Sequence, residues 1–181
     1  TADEYGKEVW VLDRPNPAGG DYVDGWLMED QYHSFVGGQP LPIAHGMTIG
    51  ELAKMAIGEG WIEVDRQTTL KVIKMEGWVR SMKWADTGLE WYPPSPNLPT
   101  SEHAFIYLGT ALFEGTNVSE GRGTSDPFLQ LGSPTVHYDI DILDSIMKQH
   151  HANYELIKAN PRAIPGKAVH PKFEQIGRAH V

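Results

Sequence analysis

Cysteine is absent from this chain of 181 residues. The sequence therefore offers neither a disulfide framework nor thiolate chemistry, although this absence does not decide the compartment. Long apolar runs are absent too, and no segment approaches the roughly 20 apolar residues that a membrane-spanning helix needs. Basic residues are in the minority, with 15 Lys and Arg against 24 Asp and Glu and a formal net charge of -9. Because nucleic-acid surfaces need basic patches that displace counterions, the charge argues against a nucleic-acid partner and against docking on anionic lipid.

Familiar cofactor signatures are missing as well. The sequence contains no metal-ligand pattern, P-loop or dinucleotide fingerprint, so we predict neither a metal nor another cofactor. The composition is that of a globular protein, with 40% hydrophobic and 10% aromatic residues. A chain of this length is enough for one good-sized core or two small ones.

The stretch from Leu112 to Phe128, LFEGTNVSEGRGTSDPF, is the richest in chemical groups. Glu114 and Glu120 are six residues apart, Asn117 and Arg122 lie beside them, and three glycines allow the backbone to turn tightly. Such a loop suits a small polyhydroxy ligand. The alternative is a solvated surface loop of turn-forming residues, since most polar loops do nothing chemical.

A first strand is predicted at Glu8–Asp13, EVWVLD, where the apolar residues are nearly continuous. This pattern suits a strand buried on both faces, as in a parallel sheet. Loops after the carboxyl ends of such strands form the ligand crevice of open α/β sheets, which would place Asp13, Arg14 and Asn16 there. The alternative is a structural turn rich in proline.

A helix is predicted from Thr48 to about Ile57, because Thr48 and Glu51 form a T-x-x-E capping box. The box gives Glu51 a structural role. His45, just before it, has no such explanation and fits either a structural hydrogen bond or a ligand contact. A second strand is predicted at Thr68–Met75.

The second half of the chain predicts two further helices and a strand. Thr100 caps a helix that runs to about Leu108, and Ala111–Glu114 reads as the next short strand. Apolar residues at helical spacing predict a helix from Asp139 to about Ala159. Pro161–Glu174 has the composition of a linker.

The two ends predict that the chain is an internal fragment of a longer protein. Residue 1 is Thr rather than Met, and the first strand begins within ten residues. Ile176–Val181, IGRAHV, back-translates to a sequence that resembles a common sequencing-adapter read, so we expect a scar at residues 176–181. We expect the chain alone to be inactive and prone to aggregation, because its first strand would leave an apolar edge unpaired.

Five motifs occur in a distinctive order: VLDRPNPAGG, LPIAHGMTIGELA, MEGWVRSM, DTGLEWYPPSPNLPT and FEGTNVSEGRGTSDPF. From about Val9 to Pro134 they resemble the NamZ family of exo-β-N-acetylmuramidases. The resemblance implies an α/β fold, with a partial Rossmann-like domain (a parallel or mixed sheet with flanking helices) at residues 1–133. The start of a small α+β C-terminal domain follows at residues 134–175.

The resemblance also implies a function, which is removal of terminal N-acetylmuramic acid from the non-reducing end of peptidoglycan fragments. The implied partners are muropeptides and disaccharides derived from peptidoglycan, in an exported (periplasmic or extracellular) protein of cell-wall recycling. The chain departs from the family pattern in three respects. The first half of the α/β domain and most of the C-terminal domain are missing, and Val23-Asp24-Gly25 stands where the family usually has V-E-G.

Glycoside hydrolysis usually needs a carboxylic acid and a second carboxylate, and the candidates are Glu114, Glu120 and Asp24. Glu114 is preferred as the acid because it would close a strand, and its partner is Glu120, Asp24 or a residue of the missing half. The candidate substrate-binding residues are polar or cationic side chains of the motif loops: Arg14, Asn16, His45, Asn97, Asn117 and Arg122. The two arginines would bind the lactyl carboxylate of muramic acid.

Two alternatives belong to other classes. One is a non-catalytic module that binds muropeptides or sugars but lacks a working carboxylate pair, and the Asp24 departure favours it slightly. The other is a phosphate-binding protein, which is weak because GRGTSDP lacks the lysine and the helix start of a P-loop.

Overall fold

The computed structural model of the chain describes residues 1–64, 69–133, 139–150, 154–157 and 176–179. The chain divides into two compact units, Thr1–Leu89 and Glu90–Val181, and each is described by itself. Within the described residues, no helix has both the length and the apolar character needed to cross a membrane.

The first unit is built on two parallel strands. Strand β1 (Val9–Leu12) pairs with β2 (Leu70–Ile73), with Val9 opposite Leu70 and Leu12 opposite Ile73. This pairing confirms the predicted parallel sheet and the α/β class. Helix α1 (Ile49–Gly58) contacts both strands.

Burial of β1 on both faces, which the continuous apolar run predicted, is not found in this chain. The side chains alternate, and Trp10 is 57% and Leu12 is 67% exposed. The expectation that apolar side chains of β1 lie partly exposed is therefore confirmed. The physical reason is that helix α1 packs on the sheet while Trp10 and Leu12 point away from a packed layer.

Helix α1 (Ile49–Gly58) begins at the predicted capping box. Thr48 Oγ1 accepts from the Glu51 N–H, and Glu51 Oε2 accepts from the Thr48 N–H. The Asp13 carboxylate, at the end of β1, also accepts from Thr48 Oγ1 at 2.9 Å and from the Gly50 N–H at 2.8 Å. A carboxylate at a helix N-terminus is favoured by the orphan N–H groups and the helix dipole. Asp13 thus ties the first strand to the first helix.

The second unit begins with helix α2 (Ser101–Thr110), which Thr100 caps as predicted. The strand predicted at Ala111–Glu114 is wrong, because residues Ala111–Gly115 form a 3-10 helix that continues directly from α2. Periodicity does not separate a strand from a helix in so short an apolar run.

A three-stranded antiparallel sheet and one more helix complete the described part of this unit. Strand β3 is Gln130–Gly132, helix α3 is Ile140–Gln149, β4 is Tyr154–Ile157 and β5 is Ile176–Ala179, in the sheet order β3-β5-β4. The start of α3 at its N-cap Asp139 confirms the prediction, but the helix ends ten residues early. Tyr154–Ile157 pairs with β5 instead, a long-range contact that helical spacing cannot reveal. Pro161–Glu174 lies outside the described residues.

Candidate functional site

The glycine-rich loop, defined here as Ser119–Gln130, is the best-packed part of the second unit. Its largely buried residues, each 8% exposed or less, include Ser119, Glu120, Thr124, Phe128, Leu129 and Gln130. The alternative of a solvated surface loop is therefore wrong for Ser119–Gln130, whereas Leu112 and the residues from Glu114 to Asn117 are exposed. A loop buried to this extent must satisfy its own polar groups, and this one does so internally.

Hydrogen bonds hold the loop in one shape. Ser119 and Gly132 exchange both backbone hydrogen bonds, at 2.7 and 2.9 Å, so the loop returns to its own starting point. Thr124 Oγ1 donates to the Gly121 carbonyl at 2.6 Å. Gly121 has a φ of +85°, and a Cβ there would lie 2.9 Å from the Asp126 carbonyl oxygen. Only glycine fits both conditions.

Arg122 brings the two predicted carboxylates together. One of its terminal nitrogens contacts Glu114, and its Nε lies 3.2 Å from an Oε of Glu120. The Glu120 side chain is only 3% exposed, whereas the Glu114 side chain is 35% exposed. Two carboxylate oxygens that each contact one guanidinium lie within about 8 Å of each other. This upper bound is compatible with the separations of about 5 to 9.5 Å between glycosidase carboxylates.

The aromatic ring of Phe128 lies against this guanidinium. The centre of the Arg122 guanidinium is 5.4 Å from the centroid of the ring, and Tyr107 meets the same ring edge-on at 4.8 Å. Phe128 has a φ of +64°, the one positive value at a non-glycine residue among the described residues. Such a backbone is costly for an L-residue and is kept where the surroundings impose it.

Glu114 is therefore positioned differently from the prediction. It lies in the 3-10 helix Ala111–Gly115 and not at the end of a strand, so no sheet holds it. Its orientation comes from Arg122 instead. A carboxylate that a guanidinium orients in this way is suited to act as a nucleophile or to stabilise positive charge.

Arg14 presents a different kind of guanidinium in the first unit. The Arg14 side chain is exposed, and its guanidinium lies 5.7 Å from the ring centroid of the buried Trp84. No carboxylate contacts this guanidinium among the residues that the structure describes. An exposed arginine that lies over an indole and has no carboxylate partner of its own is suited to bind a carboxylate in bidentate fashion.

Asn16 and His45 have structural partners on the neighbouring backbone. Asn16 Nδ2 donates to the Met47 carbonyl at 3.1 Å, and Asn16 Oδ1 accepts from the Ala18 N–H at 2.9 Å. His45 Nδ1 accepts from the Met47 N–H at 3.1 Å. Burial lowers the pKa of His45 below its ordinary value of 6.5, so the neutral ring that accepts this hydrogen bond is favoured. The structure thus supplies the explanation that His45 lacked in the sequence.

Arg80 is a central residue of this region that sequence reasoning missed. Its Nη1 donates to the Gly46 carbonyl at 2.9 Å, and its Nη2 contacts Glu51 of the capping box. A Cβ on Gly20 would lie 2.3 Å from Cγ of Arg80, so the loop after β1 packs directly on this arginine. Arg80 therefore joins three motif loops. The only signal in the sequence was the position of GWVR within the ordered motifs, and this position does not distinguish a structural residue from a functional one.

Asp24 belongs to the first compact unit, whereas Glu114 and Glu120 belong to the second. Its backbone exchanges hydrogen bonds with Ala44 at 2.9 and 3.1 Å, and its exposed carboxylate accepts from the Tyr22 hydroxyl at 3.2 Å. Burial, together with this hydrogen bond, raises the pKa of Tyr22 above its ordinary value of 10.0. Asp24 has the accessibility that a ligand contact needs.

The two remaining candidates are loop asparagines of the second unit. Asn97 is half-buried and its N–H donates to Ser95 Oγ at 3.3 Å, whereas Asn117 is exposed between the two glutamates. Their side-chain roles stay predictions. In the described part of the chain, no group of three His, Asp or Glu side chains is arranged to hold a metal ion.

Fold and side chains together define an α/β protein in which two carboxylates, one buried and one accessible, share a guanidinium. Two family models match this chain: the N-terminal part of exo-beta-N-acetylmuramidase NamZ over residues 1–102, and its C-terminal part over residues 105–173. The chain belongs to the NamZ family. The domain boundary predicted between residues 133 and 134 lies beyond the point where the two matches meet, and it stays a prediction.

Known relatives are longer than this chain. It is 50% identical over 135 residues to the peptidoglycan beta-N-acetylmuramidase NamZ of Bacillus subtilis (strain 168), which covers 75% of the chain and 32% of the relative. The chain thus spans about a third of the length of that curated relative.

Two crystal structures of DUF1343 family proteins from Bacteroides fragilis are similar to the chain. They give TM-scores of 0.78 and 0.72 at 32% and 36% sequence identity. They cover 98% and 99% of the chain, which in turn covers 45% of each.

Proposed function

We propose that the parent protein is a glycosidase that releases terminal N-acetylmuramic acid from the non-reducing end of peptidoglycan fragments. The parent protein is the natural protein that contains this sequence. The observation that carries the proposal is the convergence of Glu114 and Glu120 on Arg122. Membership of the family supplies the substrate class, and the paired carboxylates supply the chemistry that glycoside hydrolysis requires.

The two carboxylates form the reacting pair in this proposal. Glu120 is held in a buried loop and Glu114 lies on the more accessible side of Arg122, so a sugar reaches Glu114 first. Arg122 contacts both carboxylates. The sequence-based preference for Glu114 as general acid then requires that it leave Arg122 when the substrate binds, or that the acid come from Asp24 or elsewhere in the parent protein.

Arg14 is proposed to bind the lactyl carboxylate of muramic acid. It combines an exposed guanidinium with an indole platform, and no carboxylate of the described residues occupies it. The partners are muropeptides and disaccharides from peptidoglycan, encountered in the periplasm or outside the cell. The parallel pair β1–β2 with helix α1 supports the proposal that the first unit is part of a Rossmann-like domain.

The proposal is tested by replacing each carboxylate in the parent protein. We expect Glu114→Gln and Glu120→Gln each to reduce turnover of a chromogenic muramic acid glycoside by a factor on the order of 100 or more. Lys148→Gln is the matched control, because it removes one partner of an exposed ion pair on α3. Near-normal release of muramic acid by both glutamine variants would exclude this pair from the mechanism.

The second candidate is a non-catalytic module that binds muropeptides. It is favoured by Asp24, which stands where the family usually has a longer carboxylate, and by the engagement of both glutamates with Arg122. Calorimetric binding of a muropeptide disaccharide that the parent protein leaves intact over hours would support this candidate over the glycosidase.

A further inference from the structure

We propose that Arg122 is a positioning residue that holds Glu114 and Glu120 as a pair, and that it does not bind the carboxylate of the substrate. This inference rests on the proposed glycosidase function and assigns a role within the same site. It departs from the sequence-based prediction, in which Arg122 and Arg14 had the same task of binding the lactyl group.

The first support is the environment of Glu120. Its side chain is 3% exposed, and a buried carboxylate needs a charged or hydrogen-bonding partner. Arg122 supplies the positive charge, with its Nε 3.2 Å from the Glu120 oxygen. The Arg122 Nε is itself buried and meets no acceptor at hydrogen-bonding geometry, so the contact is an ion pair between two groups held in place by the loop.

The second support is that the guanidinium is fixed on a platform. The Phe128 ring lies 5.4 Å below it, and Tyr107 packs edge-on against that ring. The Phe128 N–H donates to the Glu120 carbonyl, which fixes the left-handed backbone that points the ring at Arg122. Phe128, whose ring lies against the Arg122 guanidinium, and Glu120, whose carboxylate pairs with that guanidinium, are thus joined by a backbone hydrogen bond.

The third support is the charge of the cluster. Two carboxylates and one guanidinium leave a net charge of about -1, which repels an anionic group on a substrate. The same charge favours the positive charge that develops on the sugar in an oxocarbenium-like transition state. A positioned negative cluster therefore fits the reacting end of the sugar and not its lactyl carboxylate.

The experiment compares two arginines on two substrates in the parent protein. The substrates are a chromogenic muramic acid glycoside and the same glycoside with its lactyl carboxylate converted to an amide. We expect Arg122→Gln to lower kcat by a factor on the order of 100 on both substrates with less than about a threefold change in KM, because a lost orientation affects the transition state. Arg122→Lys should recover part of kcat, since it keeps the charge but not the fork.

Arg14→Gln is the matched comparison. We expect Arg14→Gln to raise KM about tenfold for the carboxylate substrate and to leave KM for the amide substrate unchanged. The reason is that only the carboxylate carries a charge that Arg14 can bind. If instead Arg122→Gln raises KM for the carboxylate substrate alone, Arg122 binds the substrate and the positioning role is wrong. If the unmodified parent protein turns over neither substrate, the proposed function fails, and the next measurement still tests Arg122.

That measurement is a double-mutant cycle on stability, which needs no activity. Glu120→Gln, Arg122→Gln and the double variant of the parent protein are unfolded in denaturant. We expect the effects of the two single changes on the unfolding equilibrium constant to deviate from additivity by a factor of about 10 or more, because Arg122→Gln leaves the buried Glu120 charge unpaired only where Glu120 is still present. The exposed pair Lys148 and Asp144 should show less than about a threefold deviation. Equal coupling in the two pairs would overturn the inference.

Discussion

Three arginines of the motif loops differ in what their guanidinium groups contact. Arg80 donates to a backbone carbonyl and to the capping box of α1, so it joins loops. Arg122 lies between two carboxylates on an aromatic ring. Arg14 lies over the Trp84 ring, and its side chain is exposed. The same side chain thus serves structure, site geometry and proposed ligand binding, and only its contacts tell these roles apart.

His45 predicts a pH dependence of stability in the first unit. Burial lowers its pKa in the folded chain below 6.5, so the folded state binds fewer protons than the unfolded state. This stability is fully present above pH 6.5 and is lost as the pH falls from 6.5 through the lower folded value. His45→Asn keeps an acceptor for the Met47 N–H without a titratable ring, so we expect a smaller loss between about pH 7 and pH 5.

Chemical denaturation of the parent protein at several pH values measures this difference. His33→Asn is the control, because the His33 ring is exposed and faces Asp30 at 3.9 Å. An unchanged acid loss in the His45→Asn variant would show that other groups carry the pH dependence.

Phe128 predicts an unusual order of two substitutions. Phe128→Ala should destabilise the second unit by about 3–5 kcal/mol, because it leaves a cavity beneath Arg122. Phe128→Gly should be less destabilising than Phe128→Ala by about 1 kcal/mol, because glycine accepts a φ of +64° without steric cost. At a buried position with negative φ, a change to glycine destabilises the fold more than a change to alanine. Thermal unfolding of both variants decides the order. A higher melting temperature for Phe128→Ala than for Phe128→Gly would mean that the backbone at residue 128 carries no strain.

At the scale of elements, the two best-defined helix starts differ in how deeply their caps are embedded. Thr48 is 1% exposed and bonds to both Glu51 and Asp13, so its hydroxyl links α1 to the end of β1. Thr100 caps α2 from an exposed position. The Thr48 hydroxyl thus reaches Asp13, 35 positions away in the sequence, whereas both partners of the Thr100 hydroxyl belong to His103, three residues on.

Thr48→Ala is therefore expected to cost more than Thr100→Ala. We expect about 2 kcal/mol at Thr48, the upper end for helix caps, because the change also removes a donor to the half-buried Asp13 carboxylate. Water replaces part of the lost contact at Thr100, where about 0.5–1 kcal/mol is expected. Hydrogen exchange of the α1 and α2 amides reports each helix separately. Equal losses in protection would contradict the linking role of Thr48.

At the scale of the whole molecule, the chain exposes many large apolar side chains. The two most exposed, Phe35 at 104% and Val36 at 93%, lie at the tip of the tight turn between Ser34 and Gly37. Trp26 is 86% exposed in the same excursion. Water-exposed apolar surface of this kind promotes association between molecules.

We predict that the 181-residue chain self-associates through this turn. The double change Phe35→Ser and Val36→Ser should reduce association, because it removes apolar surface without touching a buried contact. Leu112→Ser is the control, since Leu112 is 60% exposed in another part of the chain. Light scattering coupled to gel filtration over a concentration series measures the effect. A chain that is monomeric at all concentrations, or an equal effect of the control, would refute the prediction.

The sequence by itself determined the features that depend on neighbouring residues. The T-x-x-E box placed the start of α1, and Thr100 placed the start of α2. Apolar residues at helical spacing placed α3, and the apolar run after Glu8 placed a strand of a parallel sheet. These signals are local, because a cap or a strand pattern acts over three or four positions. The concentration of polar and charged side chains in the loop around Glu114 and Glu120 could be read from the sequence for the same reason.

Only the tertiary structure decided which polar residues hold the fold together and which remain available to contact a ligand. Asp13 and Asn16 bond to residues more than 30 positions away, and β4 exists because Tyr154–Ile157 finds a partner in β5. The difference between Arg14 and Arg122 is likewise a matter of which groups lie within reach. Long-range contacts of this kind leave no periodic trace in the sequence, because folding brings the partners together through packing of the whole unit.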